Sequence, residues 1–96
     1  MSTEAIHKEV SGSKARYFLA RDGVEAELTL SIATPQLVIA DHTSVPDALR
    51  GTGAGAALVA RLVEDARAQG FKVMPLCPFV NAQRRKHPEW ADVFQV

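Results

Sequence analysis

The chain has a single cysteine, Cys77, and no excess of charge of either sign. One cysteine forms no internal disulfide and supplies no cysteine-rich zinc site, and it suits a reducing, cytoplasmic setting. Eleven basic residues balance eleven acidic ones. That balance removes the electrostatic drive toward nucleic acid or an anionic membrane. No apolar run approaches the ~20 residues of a membrane span. The opening MSTEAIHKEV lacks the charged and then apolar pattern of a secretion signal. Three dispersed histidines do not suggest a metal site, and no repeat or low-complexity segment is visible.

What is present is an ordinary globular mix, 47% hydrophobic and 23% charged over 96 residues, enough for one domain and one modest core. Residues 1–6 read as a loose start. His7 to Val10 is a short strand, Ser11-Gly12-Ser13 a turn, and Ala15 to Arg21 a second strand. Asp22-Gly23 is a hairpin signal. Val24, Ala26, Leu28, Leu30 and Ile32 alternate with polar residues, a strand with one buried and one wet face. After Thr34-Pro35, the continuous apolar run Leu37 to Ala40 predicts a strand covered on both faces, continuing through His42 toward Val45-Pro46.

The period then changes. Gly53 to Gln69 fits a helix with Ala54, Leu58, Val59, Leu62, Val63 and Ala66 inward. Arg61, Glu64, Asp65 and Arg67 lie on its wetter side, and Gly70 is its C-terminal cap. Phe71 to Leu76 is a second buried strand, and the crossover through the helix makes it parallel to its neighbour. Pro78 opens a final helix ending near His87-Pro88. The expected fold is therefore a mixed α/β sheet of about five strands: an antiparallel meander, a β-α-β crossover, and a C-terminal helix.

Arg50-Gly51-Thr52-Gly53-Ala54-Gly55 lies between strand and helix. Glycines there admit close approach of a ligand to the backbone, and the first N–H groups of a helix are unpaired and partly positive. Together they make an anion site, to which Arg50 adds a cationic fork. A ligand-free flexible loop is the alternative. The Walker pattern is absent, and a dinucleotide fingerprint would follow the first strand of a βαβ unit rather than a meander.

Val45-Pro46 followed by Arg50-x-x-Gly53-x-Gly55 resembles the acetyl-CoA pyrophosphate loop of the GNAT acetyltransferase superfamily. With His42-Thr43-x-Val45, Leu76-Cys77-Pro78-Phe79-Val80 and His87-Pro88-Glu89, the chain resembles a short YjdJ-like subgroup over roughly residues 7–93. The resemblance implies two splayed parallel strands with the pantetheine arm of acetyl-CoA between them. It implies backbone pairing near Val45 and the pyrophosphate held by the amides of Gly51, Thr52, Gly53, Ala54 and Gly55. Larger members insert two acceptor-walling helices between the first two strands, where this chain has only a few residues. Many subgroup members carry an aromatic residue shortly after the Cys-Pro-Phe-Val run. Asn81-Ala82-Gln83 stands here instead, which leaves no tyrosine to act as general acid.

Cys77 sits at a strand end and a helix start, where the dipole favours a thiolate. Three roles are open to it: acetyl-accepting nucleophile, lining of the active site, or inert core thiol. His42 is a candidate general base or a structural histidine. His87 fits an interaction with the helix C-terminus. Arg84-Arg85-Lys86 reads as a solvated face or a contact to the CoA 3′-phosphate, and Trp90 and Phe94 as packing back on the sheet. The function these features suggest is acetyl-CoA-dependent acetylation of an unidentified amine. A non-catalytic acyl-CoA-binding module and an interaction domain without ligand are the rivals.

Overall fold

The strands follow one another in space as they do in sequence. A computed structural model describes residues 6–96 and contains β1 (His7–Ser11), β2 (Lys14–Arg21), β3 (Val24–Thr34), β4 (Leu37–Ser44) and β5 (Lys72–Pro75) in the order β1-β2-β3-β4-β5. The first three pairings are antiparallel and β4–β5 is parallel. A helix, α1 (Ala54–Gln69), makes the crossover, and α2 (Pro78–Lys86) follows β5. This is the mixed sheet and helix order that the sequence implies. Apart from Ile6, the loose start expected over residues 1–6 lies outside the described residues. The Ile6 carbonyl accepts a hydrogen bond from Arg61 Nη1 at 3.3 Å.

Alternation in β2 and β3 builds one apolar face. Ala15, Tyr17 and Leu19 pair with Leu30, Leu28 and Ala26, and all six are buried. α1 lays Leu58, Val59, Leu62 and Val63 on that face, each at most 2% exposed. Full burial of such a side chain contributes roughly 1.5–3 kcal/mol. Gly70, at φ 80°, caps α1 and donates its N–H to the Ala66 carbonyl at 2.8 Å. Trp90 is half-buried with its ring 3.9 Å from the His87 ring, while Phe94 is buried and bridges to Val73.

Three expectations need correction. The run Leu37 to Ala40 is not covered on both faces. Val38 and Ala40 are buried, whereas Leu37 and Ile39 are half-exposed, because the face carrying them has no helix over it. The last strand is shorter than Phe71 to Leu76: pairing with β4 ends at Ala40–Pro75, and Leu76 is 62% exposed. Asp65 is not on the wet side of α1. It is buried and accepts a 2.6 Å hydrogen bond from the Tyr17 hydroxyl, with Arg61 Nε 3.2 Å away on its other oxygen.

Candidate functional site

The two parallel strands stop pairing at Ala40 and Pro75. One further bond, from Cys77 N–H to the Ala40 carbonyl at 2.9 Å, closes the join. Beyond it β4 runs on through Thr43 while the other chain turns into α2. Pro78 suits that turn, since the first helical position needs no N–H and has a fixed φ. The gap so opened is a cleft of about 410 Å³. Thr43 and Val45 line it from β4 and its exit, residues 49–51 and 53–56 from the loop and the start of α1, and Phe79 and Gln83 from α2.

The loop has the geometry of an anion cradle. A short 3-10 turn, Asp47–Leu49, leads into it and was not foreseen. Leu49 anchors the turn by burial, and its carbonyl accepts from both the N–H and the hydroxyl of Thr52. Gly51 and Gly53 take φ of 77° and 84°, a region costly for residues with a Cβ. Gly53 is the N-cap of α1 and offers no side-chain cap. The first carbonyl-bound amide of the helix is that of Ala57, which donates to Gly53. The N–H groups of residues 53–56 therefore lack intrahelical acceptors, as at any helix start, and border the cleft. Arg50 extends into solvent with its Nε 3.2 Å from Asp47 Oδ1. Arg21 Nη1 reaches the Thr52 carbonyl at 3.2 Å, a contact across 31 positions that no local pattern announces.

Gly55 serves close approach rather than an unusual φ. A Cβ there would stand 2.8 Å from Phe79 Cζ and 3.2 Å from Val45 Cγ2. The missing side chain lets the Phe79 ring and Val45 close over the first turn of α1.

Of the sequence candidates, Val45, Arg50, Gly51, Gly53, Ala54 and Gly55 line the cleft, with Thr52 inside the same loop. Cys77 is adjacent to it without lining it. It is the N-cap of α2, 2% exposed, and its Sγ is 3.2 Å from Thr43 Oγ1, which does face the cleft. His42 is not brought to Cys77. Leu28 pairs with Thr43, Thr29 with His42, and Leu30 with Ala40, so Asp41 is an extra residue in β4. This bulge reverses the alternation. It turns Thr43 to the core side and leaves His42 exposed on the other. Thr43, Phe79 and Gln83 were not singled out as ligand contacts. Thr43 was hidden because an unbroken alternation would have put His42 inward.

A second depression, about 470 Å³, lies among residues of the outer sheet face and its edge. Its charges already pair with one another. Arg16 contacts Glu9, Glu25 and Glu27 at 2.8–3.0 Å, and Lys14 reaches Ser31, which donates to Asp41. The α1–α2 cleft, with unpaired backbone amides at its rim, is the better candidate. Among the described residues, no helix is long and apolar enough to cross a membrane, and no group of three or more His, Cys, Asp or Glu is placed to hold a metal ion.

Comparison with known proteins agrees with this geometry. A family model described as GCN5-related N-acetyl-transferase matches residues 16–93. The fold is similar to the NMR solution structure of a "GCN5-like putative N-acetyltransferase" from Staphylococcus aureus. That similarity has a TM-score of 0.72 and 28% identity, over 99% of this chain and 91% of that one. No curated protein matches the sequence.

Proposed function

This chain belongs to the GCN5-related N-acetyltransferase family, and on that premise we propose that it transfers the acetyl group of acetyl-CoA to an amine. The observation that carries the reading is the cleft itself. A cradle of amides without intrahelical acceptors at residues 53–56 lies at one place on its rim, and Thr43, with Cys77 buried behind it, lies at another. An anionic pyrophosphate suits the first. The thioester would then lie by Thr43, next to Cys77.

In this proposal Cys77 carries the acetyl group. Its sulfur attacks the thioester carbon, the bond from that carbon to the CoA sulfur breaks, and CoA leaves as the thiol with the proton Cys77 gave up. The amine then attacks acetyl-Cys77, loses a proton and restores the thiol. Thr43 must yield to admit the thioester, since Cys77 is buried behind it. His42 faces away, so the proton leaves by another route, through water or the amine itself. A non-catalytic acyl-CoA-binding module is the second reading. It is favoured by the two-residue β1–β2 turn at Gly12-Ser13, which supplies no helices to wall an acceptor pocket.

Acetyl-CoA at a hundredfold excess over its Kd is expected to raise the melting temperature by about 10 °C or more. Intact mass after incubation is expected to show one added acetyl group, removed by hydroxylamine and absent in Cys77→Ala. Full turnover by Cys77→Ala with a genuine acceptor would replace the covalent route with direct attack by the amine. No thermal shift would remove the acetyl-CoA reading altogether.

Arg50 gives a separate test. Arg50→Ala is expected to weaken CoA about three- to tenfold, as loss of one exposed charge contact does, and to leave binding of pantetheine unchanged. Equal losses for both ligands would mean that Arg50 acts only through its pair with Asp47.

A further inference from the structure

The second turn of α2 holds a polar side chain that the protein itself does not use. Gln83 is 9% exposed, one of two buried polar or charged residues in the described chain. The other, Asp65, is satisfied by Tyr17 and Arg61. Gln83 has no such partner. No side chain or backbone group among the described residues accepts from or donates to its carboxamide, although its neighbour Arg84 bonds Asn81 Oδ1 at 2.7 Å. No fully enclosed side-chain nitrogen or oxygen lacks a partner among the described residues. The carboxamide of Gln83 therefore opens onto the cleft that the residue lines. In the free protein that opening leaves the carboxamide to water, so its hydrogen bonds are available to whatever enters the cleft. Methionine would fill a similar volume without offering any.

We propose that Gln83 is a ligand-binding residue that hydrogen-bonds an amide of the pantetheine arm as the arm crosses the cleft. The inference rests on the acetyl-CoA reading above. The chemistry of the walls selects this part of the ligand. Val45 and Phe79 are apolar, and they bracket Gly55, which suits a thin aliphatic chain. The carboxamide offers one acceptor oxygen and two donor hydrogens. A secondary amide offers one donor and one acceptor, and pantetheine carries two such amides on an otherwise aliphatic arm. Pyrophosphate would instead want a cation or backbone N–H groups, which the loop supplies. Because glutamine has no ionisable proton, Gln83 is a binding and positioning group and not an acid or base.

The test uses the full chain and compares Gln83→Met and Gln83→Ala with the wild type. Calorimetry measures CoA, and competition against CoA measures ADP, which has the pyrophosphate and no pantetheine arm. Gln83→Met is expected to lower CoA affinity about five- to tenfold, leave ADP within twofold, and keep or raise the melting temperature of the free protein. Gln83→Ala should lose CoA affinity similarly, which guards against a steric effect of methionine. Wild-type CoA affinity in Gln83→Met overturns the proposal while leaving the acetyl-CoA reading intact. So does a lowered melting temperature with parallel losses for CoA and ADP, which marks a structural residue. A raised KM for the amine at unchanged CoA affinity also overturns it, by assigning Gln83 to the acceptor. Failure of the wild type to bind CoA at all overturns both readings.

Discussion

Gly55→Val is expected to weaken CoA binding about a hundredfold and to destabilise the free protein by about 1–3 kcal/mol. The cause is steric. The first side-chain carbon would already meet the Phe79 ring at 2.8 and 3.0 Å and Val45 Cγ2 at 3.2 Å, and the two methyl groups of valine extend further. Overpacking of a filled contact costs about this much. Relief requires Phe79 to swing away from α1, and Phe79 is a wall of the cleft. Gly55→Ala is the informative companion. It gains about 1 kcal/mol of helix propensity yet still needs the ring to move, so its stability change is small while its CoA affinity falls. Calorimetry on folded variants decides the matter. Wild-type affinity in Gly55→Val would mean that no ligand passes between Phe79 and the first turn of α1.

The second large effect is alkaline. Tyr17 is fully buried, and its hydroxyl donates to Asp65 at 2.6 Å. Burial first, and then the Asp65 carboxylate, push the phenol well above its ordinary value of about 10. Both favour the neutral form. An unfolded Tyr17 loses its proton near pH 10 and the folded one keeps it, so the folded state binds the extra proton. The stabilisation is thus complete below about pH 10 and declines above it by about 1.4 kcal/mol per pH unit. Tyr17 is the only tyrosine in the chain, which makes the experiment unambiguous. Phenolate absorbance should stay absent until the protein unfolds, and the two transitions should coincide. Tyr17→Phe should flatten the alkaline limb. Ionisation of Tyr17 in the folded protein near pH 10 would sink this account of the Asp65 contact.

Much of the fold was legible because short-range physics wrote it. Period-two alternation over Val24 to Ile32, the Asp-Gly hairpin, the four-residue rhythm from Ala54 to Ala66 and Gly70 at its end each reflect a local rule that the tertiary structure kept. The glycine loop was legible for a similar reason. Two positions that require left-handed φ leave a compositional trace, and so does the start of the helix behind them.

Residues that act across the fold left no such trace. Asp65 looked like an ordinary charged residue on a wet helix face, and only Tyr17, 48 positions earlier, makes it an interior one. His42 and Thr43 exchanged sides because one extra residue in β4, Asp41, broke the alternation. A bulge is fixed by how a strand registers on its neighbour rather than by its own composition. That the carboxamide of Gln83 has no partner among the described residues and lines the cleft becomes visible only when α2 lies beside α1. The sequence by itself determined the order of the elements, the apolar face and the glycine loop at the start of α1, since these follow from backbone preference and hydrophobic periodicity. Which side chains line the cleft, and which are sealed behind them, was decided by the tertiary structure. Register, burial and partnership are properties of pairs of segments that no single segment contains.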